Sequence, residues 1–257
     1  MITITNNKVS GFAPCWAPFR GFSLLFDNPG ASVAERGGFG RIDCSAEPDP
    51  ELGLYQALAA GIGKLGASAL TNTHLFCPLP ASSYHVTVWD GVNDANLVDL
   101  SPAHGLRCRR WLDALPQSLR EVAQVRELAA SALLAAPDWG LRLRLESLEK
   151  WSDISLVARL GPADDSSARA LERVTAARDE LSEAFAQTFG VRPNATYVPH
   201  VTLGYFANQP LAAQAGACLG PWNEVLRAAA AGLTLRVRTV SLYGFTDMAT
   251  FFKLVSK

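Results

Sequence analysis

Two short segments of the sequence carry nearly the same set of chemically active side chains. His85-Val86-Thr87-Val88 and His200-Val201-Thr202-Leu203 both read histidine, β-branched apolar residue, threonine, apolar residue. The chain has only four histidines, and two of them lie in this pattern. A neutral imidazole accepts a proton and a protonated one donates it, so two histidines in matched settings indicate paired acid–base chemistry.

The spacing within each segment predicts which side chains share a face. Side chains alternate along a strand, so each histidine points the same way as its threonine, while the apolar neighbours point the other way and pack on helices. We therefore predict that two such strands face each other across a cleft. The four side chains that would line this cleft are His85, Thr87, His200 and Thr202.

Metal-independent cleavage of a phosphodiester is the chemistry that this set suits. One neutral imidazole removes a proton from water or a ribose hydroxyl, and the other gives a proton to the leaving oxygen. Each threonine hydroxyl can donate to a non-bridging phosphate oxygen, where negative charge is held in the transition state. Which histidine is the base and which the acid is not set by the sequence.

The two segments resemble the signatures of the 2H phosphoesterase superfamily, which includes bacterial 2′-5′ RNA ligase-like proteins and cyclic nucleotide phosphodiesterases. The stretch from Ser83 to Asp94, in which the first motif runs into Gly-Val-Asn-Asp, is similar to an uncharacterised bacterial branch of that superfamily. The resemblance implies a bilobal α+β fold with pseudo-two-fold symmetry, in which two antiparallel sheets face a central cleft and helices cover the outer faces. It also implies catalysis by the four motif residues without a metal or cofactor.

The hydrophobic pattern along the chain agrees with that order of elements, and the whole of 1–257 is expected to form a single bilobal domain. Predicted strands cover 19–27, 75–79, 84–89, 141–148, 154–160, 198–206, 233–245 and 251–255. Predicted helices cover 51–69, 118–136, 166–189 and 209–231. Predicted loops cover 28–50, which contains Gly37-Gly38-Phe39-Gly40, and 91–105.

The charge that would bind a phosphate has no obvious source, because many 2H relatives carry a basic residue shortly after a motif and this chain does not. Alternation in Leu141-Arg142-Leu143-Arg144-Leu145 places both arginines on one face, either lining the cleft or on a solvated outer edge. Trp89 and Phe206 share the predicted face of the histidines on their strands. They are expected either to stack on a base at the cleft mouth or to pack in the core.

Other classes of site fit the sequence poorly. No cluster of histidine, cysteine and carboxylate residues has the spacing of a zinc site, and no Gly-x-Ser-x-Gly segment is present, so no metal and no serine nucleophile are expected. The net charge of −1 argues against a protein that coats nucleic acid. Five cysteines without a Cys-x-x-Cys are typical of free thiols in a reducing compartment. We expect a cytoplasmic monomer with no signal peptide and no membrane-spanning segment.

The leading hypothesis is a phosphodiesterase acting on a small nucleotide or an RNA end, at a 2′,3′-cyclic phosphate or a 2′-5′ linkage. One alternative is a protein that holds a nucleotide or RNA end in such a cleft without cleaving it. A second alternative is a 2H enzyme for cyclic oligonucleotide signals or a non-nucleotide phosphodiester. The sequence does not distinguish the leading hypothesis from this second alternative, because both use the same four motif residues.

Overall fold

The computed structural model describes residues 3–11, 16–30, 33–44, 49–66, 68–191 and 196–255. Its strands are β1 (Gly21–Phe26), β2 (Val33–Arg36), β3 (Phe39–Ile42), β4 (Phe76–Pro78), β5 (Thr87–Asn93), β6 (Leu141–Trp151), β7 (Ser155–Pro162), β8 (His200–Phe206), β9 (Leu235–Val237), β10 (Val240–Asp247) and β11 (Thr250–Leu254). Its helices are α1 (Gly53–Leu65), α2 (Pro102–Asp113), α3 (Leu119–Val122), α4 (Arg126–Ala129), α5 (Ala132–Ala135), α6 (Asp165–Phe189), α7 (Gln209–Gln214) and α8 (Leu219–Ala229).

The described strands form two antiparallel sheets, and each sheet contains one of the two His-x-Thr segments. The first sheet has the order β2-β3-β11-β10-β1-β5, with the first motif strand at its edge. The second has the order β4-β8-β7-β6-β9, with the second motif strand inside it. The predicted fold class, α+β with two antiparallel sheets, is confirmed.

Helices cover one face of each sheet because that face is apolar. On the first sheet, Phe22 packs against Trp111 of α2, and Trp89 packs against Phe185 of α6. On the second sheet, α8 lies against β6 and against α1, so closely that a Cβ on Gly61 would lie 3.1 Å from Leu226 Cγ. The long helix α6 contacts β5, β6 and β7 and so packs on both sheets.

The local sequence explains how α6 begins and ends. Asp164 is its N-cap, and one carboxylate oxygen accepts a hydrogen bond from the backbone N–H of Ser167 at 2.8 Å. Gly190 ends the helix in the left-handed region at a φ of 84°, which glycine adopts without strain. These two signals are why the predicted helix 166–189 agrees with the structure to within one residue.

Three predictions of local structure are wrong. The predicted loop 28–50 contains the hairpin β2–β3. The turn residues Gly37 and Gly38 of this hairpin both have positive φ, as a two-residue type I′ turn requires. Residues 31–32 and 45–48 of the predicted loop lie outside the described residues. The predicted loop 91–105 contains the end of β5 and the start of α2. The predicted helix 118–136 is three short helices, α3 to α5, rather than one.

Among the described residues, no helix combines the length and the apolar character needed to cross a bilayer. The hairpin predicted near 141–160 is confirmed as β6–β7. The predicted C-terminal hairpin is present as β10–β11, but the predicted strand 233–245 is divided into β9 in the second sheet and β10 in the first. The assignment of the whole of 1–257 to a single domain stays a prediction.

Candidate active site

The two histidines are held by the same local hydrogen bond. His85 lies just before β5, and its Nδ1 is 2.8 Å from the carbonyl oxygen of Ser83. His200 is the first residue of β8, and its Nδ1 is 2.9 Å from the carbonyl oxygen of Val198. A carbonyl oxygen only accepts, so each Nδ1 must carry the proton of the bond. Each neutral ring therefore has Nε2 as its basic nitrogen.

Each imidazole also lies against one aromatic ring. The ring centroids of His85 and Phe251 are 4.1 Å apart, and those of His200 and Trp151 are 4.4 Å apart. The indole Nε1 of Trp151 donates to Glu149 Oε2 at 2.8 Å, which fixes that ring in turn. The carbonyl bond and the ring contact together hold each imidazole in one orientation.

The threonines lie on the same side of their strands as the histidines. Thr87 is in register with Leu25 of β1, and Thr202 is in register with Val157 of β7. Both are half-buried, and no hydrogen bond within the described residues engages either hydroxyl. Both hydroxyls are thus available to a ligand.

A β-bulge follows the threonine in both motif strands. On β5, Thr87 and Trp89 are in register with the adjacent residues Leu25 and Leu24, so Val88 is an extra residue. On β8, Thr202 and Gly204 are in register with the adjacent Val157 and Leu156, so Leu203 is the extra one. A bulge of this kind reverses the alternation of side chains beyond it.

The carbonyl oxygen of each bulge residue has a partner, as a buried backbone group requires. Arg178 of α6 donates from Nε to the carbonyl of Val88 at 3.1 Å. The backbone N–H of Leu79 donates to the carbonyl of Leu203 at 2.9 Å. The two bulges are therefore stabilised parts of the fold.

The bulges make the predicted positions of Trp89 and Phe206 wrong. Both side chains are 0% exposed, on the helix-covered faces of their sheets. Trp89 packs edge-on against Phe185, and the ring of Phe206 lies 5.2 Å from that of Phe76. They belong to the core, which is the second of the two alternatives that the sequence left open.

The bulges bring Asp90 and Tyr205 to the cleft face instead. Each lies five residues after its histidine, in register with Ser23 and Ser155 respectively. Asp90 is exposed, and its charge favours the protonated form of His200 on the opposite sheet. The two motif strands therefore face each other closely enough for their side chains to interact.

The surroundings of the histidines set their protonation. The pKa of His85 is lowered to about 4, chiefly by burial and also by the nearby His200, against the opposing effect of the Ser83 hydrogen bond. Burial also lowers the pKa of His200, but the carboxylates of Asp90 and Glu149 counteract part of that effect. The two histidines thus differ in their charged neighbours, because carboxylates act on His200 whereas His85 is affected by His200 itself.

The structure does not bring Arg142 and Arg144 to the histidines. Arg142 is exposed and forms an ion pair with Asp164 at the start of α6. Arg144 lies in register with Gly161 and lines a separate cavity of about 300 Å³ with Arg227 and residues 230–234. This cavity contains neither motif histidine, so the structure favours the second alternative, a solvated edge away from the cleft, for these arginines.

Two other basic side chains lie closer to His200, and sequence reasoning missed both. Arg159 of β7 is in register with His200 itself. Lys8, in the segment before β1, is near enough for its charge to lower the pKa of His200. Alternation along the predicted strand 154–160 indicates which face of the strand Arg159 occupies. No pattern in the residues around Lys8 indicates that Lys8 lies near His200.

The remaining two histidines lie elsewhere. His74 is buried edge-on against Trp222, at 5.5 Å between ring centroids, and His104 packs on Phe189 at 4.9 Å. Within the described ranges, no three histidine, cysteine or acidic side chains are grouped so as to hold a metal ion.

Comparison with known proteins gives similarity in structure but not in sequence. No family model matches the chain, and no curated protein matches it. A conserved protein of unknown function from Agrobacterium tumefaciens is similar over 95% of this chain and 88% of its own, with a TM-score of 0.53 and 20% identity. Kluyveromyces marxianus Usb1 matches with 12% identity, over 93% of this chain and 98% of its own, at a TM-score of 0.39. The structure of the same Kluyveromyces marxianus protein with uridine monophosphate matches at a TM-score of 0.36 and 12% identity, over 93% of this chain and 99% of its own. The similarity to the Agrobacterium protein supports the fold.

Proposed function

We propose that this protein is a metal-independent phosphodiesterase that acts on a nucleotide or RNA end, at a 2′,3′-cyclic phosphate or a 2′-5′ linkage. The observation that carries the proposal is the matched pair of His-x-Thr segments on separate sheets. Each histidine is bonded through Nδ1 to the carbonyl two residues before it, so each presents Nε2 to the cleft. His200 is also close enough to His85 to lower its pKa.

In this proposal the two histidines have different roles. His85, whose pKa is lowered to about 4, is neutral at most pH values and acts as the general base. Its Nε2 removes a proton from water, or from a ribose hydroxyl in the reverse direction, as the oxygen attacks phosphorus. His200, whose protonated form Asp90 and Glu149 favour, donates a proton from Nε2 to the leaving ribose oxygen.

Thr87 and Thr202 complete the proposed site. Their hydroxyls can donate to the two non-bridging oxygens of the phosphate, where negative charge is held as the attacking oxygen arrives. Removing one preorganised donor of this kind typically lowers turnover by about 100- to 1000-fold. The absence of internal partners for either hydroxyl among the described residues supports this role.

His85→Gln and His200→Gln test the proposal. Each variant keeps a polar side chain but lacks a titrating nitrogen, so each is expected to lower kcat by at least about 100-fold. The measurement is hydrolysis of 2′,3′-cyclic nucleotides, 2′-5′ oligonucleotides and cyclic dinucleotides in the presence of excess EDTA. The wild-type kcat/KM is expected to be bell-shaped in pH.

His104→Gln is the matched control, because His104 packs on Phe189 away from the cleft. Full activity of either motif variant would contradict the two-histidine mechanism, and loss of wild-type activity in EDTA would contradict a metal-independent one. Binding of nucleotides without turnover on the whole panel would favour the non-catalytic alternative.

A further inference from the structure

We propose that Lys8 supplies the positive charge that binds the substrate phosphate in the cleft, a charge that neither His-x-Thr segment carries. This inference deepens the proposed function and rests on it. It assigns a binding role to a residue outside both motif strands, on the segment that precedes β1.

The segment that carries Lys8 is hydrogen-bonded to both sheets. On the side of the second sheet, the backbone N–H of Thr5 donates to the carbonyl of Ala207 at 2.8 Å, and Asn6 Nδ2 donates to the carbonyl of Phe206 at 2.8 Å. On the side of the first sheet, the N–H of Phe19 donates to the carbonyl of Thr246 at 3.0 Å. Lys8 lies between these two attachments, so its side chain is placed by the fold.

The backbone of Lys8 is itself fixed. Its N–H donates to Asn6 Oδ1 at 3.0 Å, and its carbonyl accepts from the N–H of Ala17 at 3.3 Å. The neighbouring Val9 forms a β-bridge with Trp16. A long, flexible side chain on a fixed backbone delivers its charge to a limited volume, which lowers the entropy lost on binding an anion.

The ammonium group of Lys8 lies between aromatic rings. Its Nζ is 4.8 Å from the ring centroid of Tyr205 and 5.0 Å from that of Phe19. Tyr205 is the side chain that the bulge in β8 turns to the cleft face, and its hydroxyl is anchored on Met248. Cation–π contacts hold the ammonium group in place without neutralising its charge.

No carboxylate among the described residues forms an ion pair with Lys8. Arg159, the other basic residue beside His200, differs in this respect. Its Nε is 3.3 Å from Glu146 Oε2, and its Nη1 is 3.3 Å from Glu149 Oε1. Arg159 is thus already balanced by two carboxylates, whereas the charge of Lys8 is available to an anion.

Lys8 is also in electrostatic contact with the proposed acid. Its charge acts on the protonation of His200, so the ammonium group and the imidazole lie in the same part of the cleft. A phosphate held between His200 and Lys8 would meet a hydrogen-bond donor on one side and a positive charge on the other. Charge-assisted hydrogen bonds from an ammonium group to phosphate are among the stronger ones in proteins.

The experiment compares Lys8→Met and Lys8→Arg with wild type, and uses Lys64→Met as the matched control because Lys64 is exposed on α1, away from the cleft. The probes are adenosine 2′-monophosphate and adenosine, with affinities measured by calorimetry. Lys8→Met is expected to weaken binding of the monophosphate by about 10- to 100-fold and to leave adenosine binding unchanged, since only the charged hydrogen bond is lost. Lys8→Arg is expected to keep most of the affinity.

Equal weakening of both probes in Lys8→Met, or unchanged binding of the monophosphate, would overturn the inference. A second readout is the titration of His200 followed by NMR, which does not depend on catalysis. Loss of the nearby positive charge should raise the pKa of His200 in Lys8→Met and leave it unchanged in Lys64→Met. An unchanged pKa of His200 in Lys8→Met would show that the ammonium group of Lys8 does not lie near His200, and would overturn the inference.

The two proposals fail in distinguishable ways. Abolished turnover in His85→Gln together with unchanged phosphate affinity in Lys8→Met would keep the proposed function and reject the role of Lys8. Selective loss of phosphate binding in Lys8→Met together with no turnover by wild type on any substrate would keep a phosphate site at Lys8 and reject the phosphodiesterase.

Discussion

The two histidine side chains share one local geometry but have different surroundings, which suits the two roles that the proposed mechanism gives them. Both imidazoles are fixed at Nδ1 by a backbone carbonyl, and burial lowers the pKa of both. They differ in their charged neighbours, because two carboxylates act on His200 whereas His85 has His200 as its charged neighbour. Differences of this kind separate a base from an acid in a symmetric-looking site.

The lowered pKa of His85 predicts a pH-dependent stability. Its pKa is about 4 in the folded protein, against an ordinary value of 6.5. Above about pH 6.5 the imidazole is neutral in both the folded and the unfolded chain and does not change the free energy of unfolding. Between those two values the unfolded chain binds a proton that the folded protein does not, so stability falls as the pH falls, and the loss is complete below the folded pKa.

His85→Gln should therefore flatten the dependence of Tm on pH between pH 7 and pH 4, measured by thermal denaturation. Part of the slope will remain, because the pKa of His200 is lowered as well. His104→Gln should keep the full slope. A slope in His85→Gln equal to that of wild type would mean that the imidazole is not buried as described.

At this scale the sequence predicted the four motif residues and their shared face, but not their neighbours. The motifs are local, and their alternation can be read directly from residue order. Asp90 and Glu149 reach His200 only through tertiary folding, from 110 and 51 positions away along the chain. 

Lys8 is farther still from His200, at 192 positions along the chain. Contacts over such separations leave no periodic signal in a single sequence.

At the scale of the element, the paired β-bulges determine which side chains reach the cleft. Each inserts one apolar residue, Val88 or Leu203, directly after the threonine of its motif. Because the inserted apolar residue continues the alternation of polar and apolar residues in the motif, the sequence predicts an uninterrupted strand and the wrong face for the residues beyond it. The Gly37-Gly38 turn of the β2–β3 hairpin is different, since two adjacent glycines are a recognised turn signal that the loop prediction overlooked.

Gly204, which follows the bulge in β8, predicts a stability effect. A Cβ at this position would lie 2.4 Å from the carbonyl oxygen of Cys77 and 2.4 Å from the ring of Phe76. Because the first of these atoms is backbone, the strand pair β4–β8 must shift to admit it. Gly204→Ala is expected to lower the free energy of unfolding by about 1–3 kcal/mol, measured by urea denaturation.

Gly220→Ala is the control for this prediction. Gly220 lies in α8, and a Cβ there would meet nothing within 4 Å. Alanine is also the better helix former, so this change is expected to be neutral or slightly stabilising. Equal effects of the two substitutions would contradict the close packing described around the bulge.

At the scale of the whole molecule, the segment before β1 links the two sheets. It is bonded through Asn6 to the second sheet and through Phe19 to the first, where the Phe19 ring stacks on Phe245 at 6.2 Å. This stretch has no periodic pattern, because its few residues bond to strands that are distant along the chain. The contacts of this segment with the two sheets exist only in the folded chain.

Asn6→Ala tests that link. The change removes the hydrogen bond from Nδ2 to the Phe206 carbonyl and the acceptor for the N–H of Lys8. We expect the free energy of unfolding to fall by about 0.5–1.5 kcal/mol for each hydrogen bond lost, measured by urea denaturation. Asn7→Ala, at an exposed neighbouring position, should have almost no effect. Equal stability of the two variants would mean that the segment does not brace the sheets.

The residues that the two bulges turn to the cleft face differ, although the strands that carry them match. Asp90 on one side is an anion, and Tyr205 on the other is an aromatic ring with the Lys8 ammonium group over it. A site with two equivalent halves would accept a substrate equally well in either direction. Here the two ends of the cleft differ in charge, so under the proposed function a nucleotide would bind with one preferred polarity and its phosphodiester would be cleaved from one defined side.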